Sequence, residues 1–511
     1  MIMTHPGLPA MWGYLVIACM LAGSLWFLLF PLPDRPYRHA VLALVKLPVL
    51  GSVLKWMSRT PWVVLCFKLL MVGFFLTVIY SGLVGTPVPE RNFATLITWN
   101  LWWAGLIFSV FFLGSAWCAI CPWDAIASWL VRRRLWKRAH PNNSLNLRVP
   151  RYLNNVFPAL LMFIGLTWLE LGLGITTSPY ATAIVSLLMI VLATVSLAVF
   201  KRKAFCQHFC PVGRTIGFYS QLSAIELRPI DASICAGCKT LECYHGTDSI
   251  EPCPTSLVMG TLKQNSYCTS CGNCAQSCPH ENVAWRLRTP NTEATQEARP
   301  RWDEAWFMLG LLALTGFHGL TMMPFWEDWM HQLARLVHDG QQMLGSFTVG
   351  ILLALAVVAV FYLLMVVATR YLTKTPLSMK QSFATFSFVA LPLAFFYHLA
   401  HNLNHLVRES SGIWSVIINP TGAGTQPLSM MEKHQRHMSM WMSEDMLFAL
   451  QAGLMIAGFV MAIQILRYRG RSVLATDTNR AGWRLAPILF FILGMTGFHL
   501  WMLMQPMVMR M

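Results

Sequence analysis

Charge is scarce in this chain. Of its 511 residues 12% are Asp, Glu, Lys or Arg and 56% are hydrophobic, and the mean hydropathy is +0.51. A soluble enzyme of this size needs a charged surface, and a disordered chain needs low hydrophobicity, so both classes are excluded. Acids are scarcer still, 22 against 38 basic residues. Inside the apolar stretches Glu170 is the one acid and Lys68 the one base. The first apolar stretch has neither a basic front end nor a small-residue cleavage site, which reads as a retained anchor rather than a leader.

What fills the chain instead is ten apolar runs of about 20 residues, each enough to cross a hydrocarbon core of about 30 Å. They fall near Met11–Phe30, Trp62–Leu83, Ala94–Gly114, Val156–Gly174, Ala181–Phe200, Ala305–Pro324, Leu344–Thr369, Ser382–Leu403, Met446–Leu466 and Leu485–Met507. With the N-terminus outside, 31 of the 38 lysines and arginines lie on one side of the membrane, six lie on the other, and Lys68 sits in a span. That asymmetry sets the orientation and explains the net charge of +16 without a nucleic-acid partner. The expected fold is an all-α polytopic membrane protein of about ten helices, in a bacterial inner membrane, with both termini periplasmic. Residues 1–200 form a first five-span unit, 201–303 a cytoplasmic insert and 304–511 a second five-span unit.

The insert carries the strongest motif, Cys268-x2-Cys271-x2-Cys274-x3-Cys278-Pro279, preceded by Cys235-x2-Cys238-x4-Cys243 and Cys253-Pro254. A tight loop supplies three thiolates to one iron–sulfur cube, and the cysteine before proline ligates the other. The crossed assignment is Cys235, Cys238, Cys243 and Cys278 for one [4Fe–4S] cluster, and Cys268, Cys271, Cys274 and Cys253 for the second. Zinc knuckles also use Cys-x2-Cys pairs, but need neither the third cysteine nor two Cys-Pro ends. On the cytoplasmic side thiols stay reduced. Two further pairs follow spans at that face, Cys118-x2-Cys121-Pro122 and Cys206-x3-Cys210-Pro211. Either these four thiols converge on a third cluster, or they form redox pairs beside the insert; Cys19 and Cys66 read as small buried hydrophobes.

Cys-Pro pairs after spans, followed by a two-cluster insert, resemble the membrane polyferredoxins of nitrate and nitrous-oxide respiration. These include the quinol-dehydrogenase subunit of periplasmic nitrate reductase, the nitrous-oxide reductase regulator and the cytochrome oxidase accessory protein. The resemblance covers about residues 60–290. It implies electron transfer between quinone, or another donor, and a periplasmic cytochrome or copper redox protein, with partner membrane subunits as a further expectation. Two departures stand out: the first pair is spaced x2 where the family usually has x3, and the second five-span unit has no counterpart in the family pattern.

That second unit holds nine of the 15 histidines at its outer side. His318, His398, His401, His405 and His499 sit in the outer parts of spans that exit on one face, where an ionisable ring usually has a partner. Thr315-Gly316-Phe317-His318 recurs as Thr496-Gly497-Phe498-His499, and glycine two residues before histidine leaves room for a bulky planar ligand. Haem b between facing imidazoles is one expectation. Copper is a second, given Met430, Met431, His434, His437, Met438, Met440 and Met442 in an outer loop. Plain helix contacts are the third. Trp326, Trp329, Met330 and Leu333 mark one face of an interfacial helix, as a roof over this site or as a simple anchor. Glu170 is either a quinol proton acceptor or a snorkelling acid. Two function classes follow: a quinol-linked oxidoreductase or its electron-transfer subunit, and a copper-reducing assembly protein.

Overall fold

The computed structural model describes residues 4–33, 35–37, 40–135, 142–474 and 481–508. Helices dominate, and all ten apolar runs are helical. Eight helices are long and apolar enough to cross a membrane: Ala10–Leu29, Pro61–Val84, Phe93–Leu113, Pro179–Val199, Leu344–Thr373, Met379–Arg408, Glu444–Val473 and Gly482–Met504. The expected ten therefore stand at eight by length and composition. Phe157–Gly172 has only 16 residues, ending before Gly174 in the left-handed region at φ 63°. Trp302–Leu320 starts with Asp303 and Glu304 in its first turn, which lower its mean hydropathy, and it is buried on almost every side.

Met379–Arg408 forms the axis of the molecule and is enclosed along its whole apolar window. A capping box between Ser378 and Gln381 starts it, satisfying two orphan amides at once. It packs chiefly on Glu444–Val473, where Gly458 allows close approach: a Cβ there would meet Phe396 Cβ at 2.8 Å. Contacts also cross the sequence divisions at 200 and 304. Ala10–Leu29 packs against Glu444–Val473 and the last helix, and Thr4–His5 pairs antiparallel with Met507–Val508.

The insert is a small three-stranded antiparallel sheet, Val283–Arg288 at its centre between Ile225–Pro229 and Val41–Ala43. Its edge strand thus comes from the first interhelical loop. Beneath the sheet lies a buried ion network. Glu293 accepts from Arg228 Nη2 at 2.9 Å and Arg288 Nη1 at 2.5 Å, and Glu226 from Arg288 and Arg286. From the Glu444–Val473 helix, Arg469 donates Nε–H to Ala294 O at 2.6 Å and Nη2–H to Ala298 O at 3.0 Å. The insert is thereby fastened to the helical bundle through charge-assisted hydrogen bonds.

Candidate metal centres

All fourteen cysteines are free thiols. In the insert, Cys235 sits on Ala232–Gly237, a turn capped by the Asp231 carboxylate accepting from Ser233 N–H at 2.8 Å. Cys238 ends that turn, Cys243 lies on Glu242–His245, and Cys278 ends Asn273–Ser277. Burial pushes the Cys243 thiol up, and Cys235, Cys238 and Cys278 press it further. The other set behaves alike. Burial, then Cys271, Cys268 and Cys253, holds Cys274 well above its ordinary value, and Cys271 is pushed up to about 11 by burial and Cys253. Gly272, at φ 80°, turns the chain between Cys271 and Cys274 as only glycine does cheaply.

Cys243 and Cys274 are thus raised by burial and by neighbouring sulfurs, so positive charge placed among the thiols favours their thiolate forms. Donors already face these sulfurs: Leu257 N–H on Cys253 at 3.3 Å, Ser270 N–H on Cys268 at 3.4 Å, and Asn282 Nδ2 on Cys235 at 3.5 Å. Four thiols with N–H donors fit a [4Fe–4S] group, which takes one thiolate per iron. Among the described residues no three His, Cys, Asp or Glu close on one point as a single ion requires. With crossed ligation, Cys278→Ser should abolish the paramagnetic signal of the cluster on the upstream loop and spare the other. Cys253→Ser should do the reverse, and loss of the same signal in both variants would rule the crossing out.

The Cys-Pro pairs share one design built on different turns. Cys118 lies in a 3-10 turn, Ala116–Ala119, and Cys121 is the N-cap of Pro122–Arg132. Cys206 lies in a wider π turn, Phe205–Phe209, and Cys210 is the N-cap of Pro211–Tyr219. The tight turn accommodates x2 and the wide turn x3. Proline at the first helical position costs no hydrogen bond there, and both second cysteines face the positive end of a helix. Gly213 N–H donates to Cys210 Sγ at 3.2 Å.

The four thiols come together. Cys121, Cys206 and Cys210 line one small cavity of ≈ 30 Å³ with Lys203 and Asp124. Burial holds Cys118 well above its ordinary value, with Cys121, Cys206 and Cys210 adding to it. Burial also pushes Cys121, Cys206 and Cys210 to about 12. Two cations oppose this: Lys203, paired with Asp124 at 2.5 Å, and Arg214, which is 1% exposed. Four thiols, N–H donors and buried cations fit a third anionic cluster. Sequence reading did not single out Lys203 or Arg214; their signal is a base three before Cys206 and another four after Cys210.

This site abuts the insert. Ser115 Oγ and Ser270 Oγ lie 2.8 Å apart, joining the Cys118 turn to the Cys268–Cys271 loop. Arg214 Nη1 donates to Ser266 O at 2.6 Å and stacks over Tyr267 at 4.8 Å. A Cβ at Gly217 would meet Ser266 O at 2.1 Å, so the Pro211–Tyr219 helix lies directly on that loop.

The histidines divide into three groups. His318, His401 and His405 pack ring to ring, with centroids 5.2 Å apart for His318–His401 and 4.9 Å for His401–His405. His5, from the N-terminal strand, adds a ring 6.0 Å from His405, and Glu170 Oε1 lies 3.9 Å from His318 Nδ1. His398 instead meets Tyr219 Oη at 3.4 Å and Trp103 at 5.6 Å. His499 stacks on Tyr397 at 4.1 Å and 12°.

The imidazoles pack edge to face and the cavity beside His318, His405 and Glu170 is ≈ 100 Å³, too small for a macrocycle in this arrangement, while the ring nitrogens of His401 and His499 are buried without a hydrogen-bond partner among the described residues. What lies against Gly316 is the other repeat's own ring: a Cβ there would meet His499 Nε2 at 3.4 Å. The Trp326–Val337 helix does roof a cavity, ≈ 560 Å³, but histidine is not among its lining residues. The copper loop forms helix Met430–Met438 with Met430 and Met431 exposed, while the His437 and Met438 side chains lie outside the described residues.

A family model described as a 4Fe-4S binding domain matches residues 95–139 and 182–225. Those segments carry Cys118, Cys121, Cys206 and Cys210. No solved structure matches. Among curated proteins, "Putative electron transport protein YccM" of Escherichia coli (strain K12) is 27% identical over 141 residues, covering 27% of this chain and 38% of the relative. In family terms, the chain is similar to iron–sulfur membrane polyferredoxins through its Cys-Pro half.

Proposed function

We propose that this is a membrane electron-transfer protein with three [4Fe–4S] centres in series. Cys235, Cys238, Cys243 and Cys278 hold the first, Cys253, Cys268, Cys271 and Cys274 the second, and Cys118, Cys121, Cys206 and Cys210 the third. The observation that carries this reading is the gathering of the four Cys-Pro thiols, from helix ends far apart in sequence, against the loop of Cys268 and Cys271. The similarity to a 4Fe-4S binding domain over the same segments supports it. When bound, such groups supply one-electron redox centres. The chain's own residues hold the ligand sets side by side: Cys274 feels Cys243, and Cys271 feels Lys203 of the third site. Arg214 and Lys203 offset the negative charge that the third set accumulates.

In this reading the insert lies in the cytoplasm, as the basic loops support, and the membrane-phase partner is a quinone, as the resemblance to quinol-linked polyferredoxins supports. Anaerobically purified protein should contain about twelve irons and as many sulfides per chain. Its reduced form should show three interacting paramagnetic centres. About eight irons would remove the third centre, and zinc in place of iron would end the whole reading.

A further inference from the structure

The three thiol sets leave one conspicuous charge without a role: Lys68, the one base inside an apolar stretch. It lies about two turns into the Pro61–Val84 helix. A lysine near a helix end ordinarily reaches out to the headgroups. Here Nζ turns to protein and donates to Leu135 O at 3.2 Å. Lys68 lines a small polar cavity, ≈ 30 Å³, with Lys203, Arg134, Glu251, Cys271 and Asn273. Lys203 also lines the cavity of Cys121, Cys206 and Cys210. The two lysines therefore stand where the second and third thiol sets meet.

The charges around Lys68 do not balance in pairs. Asp124 is taken by Lys203 at 2.5 Å, and Glu251 by Arg132 at 3.0 Å. Lys68 rests on a neutral carbonyl and is repelled by Lys203. A cation held in a span usually has a counter-charge. The lining group left to supply it is Cys271, whose sulfur acts electrostatically on Lys68. The backbone holds this arrangement in place: Lys203 N–H donates to Pro254 O at 3.0 Å, and Arg202 Nη1 to Cys253 O at 2.7 Å. Arg134 is exposed, so water and salt screen its charge.

We propose that Lys68 is a positioning residue for electron transfer, its charge raising the reduction potential of the centre on Cys253, Cys268, Cys271 and Cys274. The inference rests on the three-centre reading above. Its physical basis is differential: an iron–sulfur centre becomes more negative when reduced, so a fixed cation beside one ligand favours the reduced form. Cys235, Cys238, Cys243 and Cys278 give no sulfur to this cavity, so the centre they hold should keep its potential.

The test is a redox titration of the anaerobic full-length protein in lipid nanodiscs, followed by paramagnetic resonance. The signal to follow is the one that Cys271→Ser removes. Lys68→Met keeps the stem and removes the charge. At fixed potential it should lower that centre's reduced-to-oxidised ratio about tenfold, a fall of about 59 mV for one electron. Iron content should stay unchanged. Lys68→Arg keeps the charge and should stay near wild type, as should Arg134→Gln at its exposed position. Lys68→Gln keeps an N–H donor toward Leu135 O and reads the same fall where Lys68→Met costs iron. An unmoved potential in the iron-replete Met and Gln variants would overturn the proposal. So would an equal fall in Lys68→Arg, which would make the effect one of packing rather than charge. About eight irons and no third signal in wild type would instead condemn the three-centre reading and leave the Lys68 shift measurable, so the two failures are distinguishable.

Discussion

Replacing Cys210 with serine should remove about four irons per chain and stop electron exchange with quinone, while the insert's two signals remain. The fold should survive, because Cys210 is the N-cap of Pro211–Tyr219 and accepts Gly213 N–H. Serine is a better N-cap than cysteine, so the helix keeps its start while the cluster loses a soft ligand. Cys121→Ser should behave alike: Cys121 is the N-cap of Pro122–Arg132 and makes no side-chain cap hydrogen bond there, so serine costs that helix nothing. Cys66→Ser is the control: that thiol is exposed on its helix and stands apart from every ligand set. Iron analysis, paramagnetic resonance and quinone reduction measure the three outcomes separately. Full iron and normal turnover in both N-cap variants would show the Cys-Pro pairs to be structural.

The second large effect lies in the ion network. Glu293 is fully buried and accepts from Arg228, Arg288 and the Asn265 N–H, the last at 2.6 Å. Glu293→Ala leaves two guanidinium groups, 4% and 1% exposed, short of their shared counter-charge. Breaking a buried pair from one side typically costs about 3–5 kcal/mol. The insert should open first, because the same segment supplies the carbonyls that Arg469 holds. Limited proteolysis and thermal loss of cluster absorbance would read this. A change within about 0.5 kcal/mol, the range of ordinary surface substitutions, would refute it.

The network also sets an acid limit. Burial works against the Glu226 carboxylate, but Arg288, Arg228 and Arg286 outweigh it and hold its pKa below the usual range. A depressed carboxyl contributes its stability fully above the unfolded value, about 4.3. That contribution is lost as pH falls through the lower folded value. Insert stability should therefore be level from neutral to about pH 5 and decline below about pH 4, and Glu226→Gln should flatten the decline.

Several features were legible from residue order alone, for physical reasons. Apolar length against bilayer thickness predicts the helices, and eight of ten hold by composition. The two exceptions show the limit of counting apolar residues: Phe157–Gly172 is too short, and two acids in its first turn lower the hydropathy of Trp302–Leu320. The cysteine spacings were also readable, because loop length limits which thiols reach one point; sulfurs of the two insert groups also act on one another, Cys243 on Cys274. The two Cys-Pro pairs differ in spacing, x2 against x3. A 3-10 turn and a π turn absorb the difference, and that choice depends on packing rather than on spacing.

The histidines mark the opposite case. Shared depth and direction placed five of them on one face, but depth says nothing about which way a ring points around a helix axis. Rotation puts His398 on Tyr219 and His499 on Tyr397, while His5 arrives from the far end of the chain beside His405. Residue order by itself determined what local spacing and transfer energy control: the helices and the spacing within each group of cysteines. Which of those groups share a wall, and which polar atoms face it, was decided by long-range packing alone, because side chains distant in sequence meet only when the helices close around them.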